Sequence, residues 1–108
     1  MKVVAINGSP RKGGNTEQLL NIVLDTVEKA GIETKLIQIG SKNIHGCRGC
    51  WACSKLKNGK CVFNDDILNG ILPEVFSADA LILGTPSYFS DMTPELKAFI
   101  DRVGVVAG

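Results

Sequence analysis

The apolar run Val3-Val4-Ala5-Ile6 ends at Asn7-Gly8 and passes straight into a loop of small and polar residues, Gly8-Ser9-Pro10-Arg11-Lys12-Gly13-Gly14-Asn15-Thr16. A run without polar alternation suits a strand buried on both faces, as in a parallel sheet. Beyond the loop, Leu19, Leu20, Val23, Leu24, Val27 and Ala30 recur at helical spacing. Asn15 or Thr16 is expected to cap this helix, and Gly31 to close it. A buried strand, a Gly-rich turn and an amphipathic helix in that order point to an α/β layered architecture.

The remaining pattern extends that unit. Thr34 to Ile39 is rich in β-branched and apolar residues and reads as a second strand. Residues 40–64 show no periodicity and read as a long loop, the kind that is usually functional in a compact domain. Asp65 or Asp66 is expected to cap a helix carrying Ile67, Leu68, Ile71, Leu72, Val75 and Phe76, with a kink or break at Pro73. Ala80-Leu81-Ile82-Leu83 reads as a third buried strand, and Thr93-Pro94 starts a third helix with Leu96, Phe99, Ile100 and Val103 as its apolar stripe. Parallel strands with helices on both faces follow from this order. In the flavodoxin-like strand order, a ligand lies beyond the carboxyl ends of strands 1 and 3, where the loops 8–16 and 85–92 emerge.

The 108 residues suffice for one domain, 1–108, and 44% apolar content supports a core. A net charge of +1 argues against nucleic acid or a membrane surface as partner, and no apolar run is long enough to span a bilayer. Met1-Lys2 and four apolar residues are too short for a signal peptide, so the chain is expected to be soluble and cytoplasmic.

Small residues let the loop 8–16 curl around an anion, and the unpaired N–H groups of the following helix favour negative charge. Ser9, Asn15 and Thr16 add neutral donors, and Arg11 adds a forked cation. The loop lacks the Lys-Ser/Thr of a nucleotide P-loop and the G-x-G-x-x-G dinucleotide spacing. In the loop after strand 3, Tyr88 and Phe89 offer stacking surface, and backbone N–H groups near Ser87 and Ser90 can meet the polar edge of a planar ring.

These residues carry a resemblance. Gly8 to Thr16 resembles the phosphate loop of the NADPH-dependent FMN reductase family, within the flavodoxin-like superfamily. Thr85-Pro86-Ser87-Tyr88-Phe89-Ser90 resembles its isoalloxazine loop, and Leu96-Lys97-Ala98-Phe99-Ile100-Asp101-Arg102 its next helix. The resemblance implies a three-layer αβα sandwich that binds FMN. It implies that Ser9, Arg11, Asn15 and Thr16 touch phosphate, and that Pro86, Ser87, Tyr88, Phe89 and Ser90 line the ring. The family fold normally continues with two more strands and their helices. The chain therefore reads as the N-terminal part of that fold, truncated after the third strand and helix, with strand 3 as an exposed edge. A homo-oligomer, dimer or tetramer, is expected to cover that edge.

Cys47, Cys50, Cys53 and Cys61 fall together in the stretch 44–64 with the spacing C-x2-C-x2-C-x7-C. Clustering of this kind points to metal, cluster or redox chemistry. The first two intervals match the start of the bacterial ferredoxin run. A four-cysteine zinc site, free redox thiols and a purely structural role are open alternatives. The motif is similar to that of the iron–sulfur flavoproteins, a similarity that implies a [4Fe–4S] cluster on the four cysteines passing electrons to or from FMN. His45 reads as a flanking side chain rather than a ligand, and Trp51 as a shield for a cluster or a residue packed on the sheet edge. Lys55, Lys57 and Lys60 read as a solvated loop, with docking of a ferredoxin-type donor as the functional alternative.

The expected activity is flavin-dependent oxidoreduction, with no side chain acting as general acid or base. A cluster-free reductase using NAD(P)H to reduce FMN or a quinone, and a non-catalytic flavin or metal module of a larger assembly, are the competing functions.

Overall fold

The computed structural model describes residues 1–108. In chain order it contains β1 (Lys2–Asn7), α1 (Asn15–Lys29), β2 (Glu33–Gln38), α2 (Ala52–Leu56), α3 (Leu68–Ser77), β3 (Ala80–Gly84) and α4 (Pro94–Ala107). The strands form one sheet in the order β2-β1-β3, parallel throughout. β1 takes the centre because it is apolar on both faces: Val4, Ala5 and Ile6 are fully buried. Asn7 lies opposite Gln38 on one side and Gly84 on the other, so the three strands finish level and their loops emerge together.

Alternate residues of β1 serve the two faces. Val4 and Ile6, with Ile37 and Ile39, pack against Leu68, Leu72 and Val75 of α3 and Leu96 and Phe99 of α4. Val3 and Ala5 pack against Leu20 and Leu24 of α1. Each of these larger side chains contributes about 1.5–3 kcal/mol by leaving water. The result is the three-layer α/β arrangement expected from the sequence. β3 pairs only with β1, and Leu81 and Leu83 on it are half-exposed. No helix is long and apolar enough to cross a membrane.

Several local details differ from the sequence reading. Gly14, not Asn15 or Thr16, is the N-cap of α1, in extended backbone without a side-chain cap. Asn15 and Thr16 fall in the first helical turn instead. The Glu17 carboxylate accepts from the Gly13 N–H and satisfies a donor just ahead of the helix. Second, β2 begins and ends one residue earlier than expected, although Ile39 still donates to the Asn7 carbonyl and stays buried. Third, α3 passes through Pro73 without a break. Pro73 is exposed, while Leu68, Leu72 and Val75 bury the opposite face and outweigh one lost backbone bond. Fourth, the cysteine-rich stretch holds a short helix, α2, flanked by left-handed residues Trp51 and Lys57.

The start of α4 is as expected: Thr93 is the N-cap, its hydroxyl accepts from the Leu96 N–H, and Pro94 opens the first turn. The N-cap of α3 is Ile67, not the expected Asp65 or Asp66; Asp66, one residue earlier, accepts from the Leu68 N–H at 3.2 Å.

Candidate functional site

The loop after β1 is held from three directions. Asn7 is fully buried, and its side chain accepts from the Ser9 N–H at 3.0 Å and donates to Gln38 Oε1 at 2.8 Å. Gln38 Nε2 donates in turn to the carbonyls of Ser9 at 2.7 Å and Gly40 at 3.0 Å. From β3, the Gly84 carbonyl accepts from the Gly8 N–H at 2.8 Å. From α4, Thr93 Oγ1 donates to the Gly8 carbonyl at 2.8 Å. Every strand end therefore has a hand on residues 7–9. The chain after β2 passes so close that a Cβ on Gly40 would stand 2.0 Å from the Ser9 carbonyl oxygen, which only glycine avoids. Asn7, Gln38, Gly40 and Thr93 were not among the sequence candidates. The polar pair Asn7 and Gln38 at the ends of two apolar strands was the signal that could have found the first two.

Ser9, Arg11, Asn15 and Thr16 from this loop, with Pro86 and Tyr88 from the loop after β3, line one open cleft. The structure thus brings six of the nine expected flavin residues together. Ser87, Phe89 and Ser90 do not line it. Tyr88 and Asp91 exchange backbone hydrogen bonds at 2.8 and 3.1 Å, making a tight hairpin with Phe89 and Ser90 at its tip. Both tip residues are left-handed, at φ 50° and 67°, and neither is glycine, so the turn carries backbone strain. Phe89 projects wholly into solvent.

The four cysteines share a second, shallow cleft, walled by Trp51, Val62, Phe63, Val105, Val106 and Arg102 among others. None is in a disulfide; Cys47 and Cys50 are exposed, and Cys53 and Cys61 are partly buried. Gly49, Trp51, Lys57 and Gly59 all have left-handed backbone, which lets so short a segment turn repeatedly around one centre. No three of the sulfurs lie within 4.8 Å of one another. Asn69 of α3 fixes the last cysteine through its backbone: it accepts from the Cys61 N–H and donates to the Cys61 carbonyl, each at 2.8 Å. A side-chain amide here does the work of a neighbouring strand.

The base of this segment rests on a buried ion pair. Arg102 of α4 donates to the Asp66 carboxylate, and both side chains are essentially inaccessible. Arg102 also donates to the carbonyls of His45 at 3.1 Å and Phe63 at 3.3 Å, so one guanidinium gathers both flanks of the cysteine segment. Burial alone would raise the Asp66 carboxyl, but Arg102 and the N–H groups of His45 and Leu68 outweigh it and hold the group below its ordinary value. Burial likewise opposes the charge on Arg102, and Asp66 and then Cys61 overcome it. Asp65 is lowered chiefly by its hydrogen bond to His45. His45 has both ring nitrogens engaged, with Gly46 O and Asp65 Oδ1 at 2.8 Å each. Trp51 is mostly exposed and walls the cleft.

The chain is similar to known proteins. An iron-sulfur flavoprotein of Methanocaldococcus jannaschii is 41% identical over 102 residues, covering 94% of this chain and 51% of that protein. One of Archaeoglobus fulgidus is 42% identical over 103 residues, covering 95% and 46%. One of Clostridioides difficile is 34% identical over 104 residues, covering 94% and 45%. The chain spans about half the length of the curated relatives it matches. The family model for NADPH-dependent FMN reductase matches residues 1–108. With that match running the full length of a parallel β2-β1-β3 sheet, the chain belongs to the NADPH-dependent FMN reductase family.

Proposed function

We propose that this chain is the FMN-binding, cluster-carrying part of an iron–sulfur flavoprotein, in which electrons pass between a [4Fe–4S] cluster on Cys47, Cys50, Cys53 and Cys61 and FMN in the cleft of Ser9, Arg11, Asn15, Thr16, Pro86 and Tyr88. The observation that carries it is the meeting of all four cysteines in one largely apolar cleft, on the helix whose first turn is tied to the anion loop.

The donor sets fit their groups. Neutral donors, an arginine and a helix N-terminus suit a phosphate. Four clustered thiols with no competing disulfide suit an iron–sulfur centre. When bound, FMN supplies exchange between one- and two-electron transfer. The chain's own residues bind it, orient it and wall it from water.

The reading includes a cytoplasmic setting, since unpaired clustered thiols persist in reducing compartments. It includes self-association into a homo-oligomer, dimer or tetramer, which sedimentation of the purified protein tests. The electron donor is a ferredoxin-type protein or NAD(P)H.

The test is anaerobic reconstitution with iron, sulfide and FMN, then analysis of all three and addition of candidate reductants. Near-equal iron and sulfide retained with one flavin supports the reading. A yellow protein without iron that NADPH bleaches supports the cluster-free reductase instead. A colourless protein with neither group overturns both.

A further inference from the structure

Arg102 is the largest fully buried side chain of the protein, and its chemistry is incompletely spent. One terminal nitrogen serves Asp66 and the His45 carbonyl, and the other serves the Phe63 carbonyl. Nε is enclosed and has no acceptor. A buried donor without a partner is rare and calls for an explanation. The guanidinium forms part of the wall of the cysteine cleft, in company with Cys61. Cys61 is also held at its backbone by Asn69, while both Cys61 and Arg102 line the same cleft.

We infer that Arg102 is a positioning and tuning residue of the cysteine centre, donating through Nε to the thiolate of Cys61 and favouring the reduced state of the cluster held there. The inference rests on the [4Fe–4S] reading above. A thiolate is the acceptor that this cleft offers, and ligation deprotonates the cysteine. One-electron reduction adds one negative charge to the centre, spread in part over its sulfurs. A hydrogen bond and a fixed positive charge at one of those sulfurs stabilise that added charge and raise the potential. Asp66 acts with the opposite sign, because its carboxylate repels the added charge while orienting the arginine. Lysine cannot substitute: Arg102 addresses Asp66, two carbonyls and Cys61 with a planar fork of five N–H groups, and an ammonium has three at a single point.

The test is a potentiometric titration of the anaerobically reconstituted full chain, followed by electron paramagnetic resonance. Asp66→Asn is compared with Asp66→Asn/Arg102→Gln, a pair that removes the arginine without stranding a buried carboxylate. The double variant is expected to retain iron and sulfide while its reduction equilibrium falls about tenfold, 59 mV for one electron, relative to Asp66→Asn. Asp66→Asn alone is expected to lie above the wild type. Equal potentials in Asp66→Asn and the double variant, with the cluster intact, overturn the inference. Should the double variant not fold, Arg102→Lys decides: a lowered potential supports the inference, and an unchanged one overturns it. Absence of iron and sulfide from the wild type is a different result, and it sinks the cluster reading itself.

Discussion

The hydroxyl of Thr93 donates to the carbonyl of Gly8 at 2.8 Å while accepting from the Leu96 N–H, so one side chain caps α4 and fastens it to the loop after β1. Nine positions further along the same helix, about 14 Å at 1.5 Å per residue, Arg102 fastens the cysteine segment. α4 is therefore the strut between the two clefts.

Replacing Thr93 by valine removes both bonds and leaves the shape. Stability is expected to fall by about 1–2 kcal/mol, read from denaturant melts. FMN affinity is expected to fall as well, because Gly8 loses one of its ties.

Gly40→Ala places a methyl 2.0 Å from the Ser9 carbonyl, and the anion loop must move to admit it. The expected outcome is a loss of about 2 kcal/mol or more, in line with overpacking, together with weakened FMN binding. Gly70→Ala is the control: nothing lies within 4 Å of its added Cβ, and α3 is expected to gain about 0.5–1 kcal/mol.

Asn69→Ala frees the backbone of Cys61 from two bonds at 2.8 Å. Iron retention during anaerobic gel filtration is expected to drop, with a stability loss of about 1–3 kcal/mol. Fold and flavin binding persist, because α3 keeps Leu68, Leu72 and Val75 in the core.

Asp66 gives the fold an acid limit. Its folded carboxyl is held below the ordinary 3.8, so its stabilisation is complete above that value and is lost as pH falls through the lower folded one. Melts between neutral pH and pH 3 are expected to show stability declining at the acid end. In Asp66→Asn the protein is less stable at neutral pH, and this part of the acid dependence is absent.

The frame of the protein was plain in the sequence because strong local signals agreed. The apolar run at Val3–Ile6 could only be a central strand, and Thr93-Pro94 is a helix start by chemistry alone. The six residues that share the anion cleft were legible because they sit in loops leaving adjacent strand ends. What stayed hidden depends on tertiary contacts. Gly14 caps α1 through backbone shape, without a side-chain signature. α2 is too short for a periodic pattern. Pro73 reads as a breaker until the buried leucines around it are counted. Arg102 figured in the sequence only as the last residue of the family-like helix segment. Only its spacing from Phe99, three residues back on the apolar stripe, hinted that it faces inward to Asp66. The tight Tyr88–Asp91 hairpin, with Phe89 and Ser90 at its tip, is a tertiary detail that the loop's composition does not announce.

The most direct measurement is a flavin-fluorescence titration of the chain with FMN and with riboflavin, which differ only in the phosphate. The loop of Ser9, Arg11, Asn15 and Thr16 is expected to bind FMN roughly 10- to 100-fold more tightly or better, as charge-assisted hydrogen bonds of about 1.5–3 kcal/mol require. Arg11→Met should narrow that ratio. Equal affinity for the two flavins, or none for either, contradicts the account.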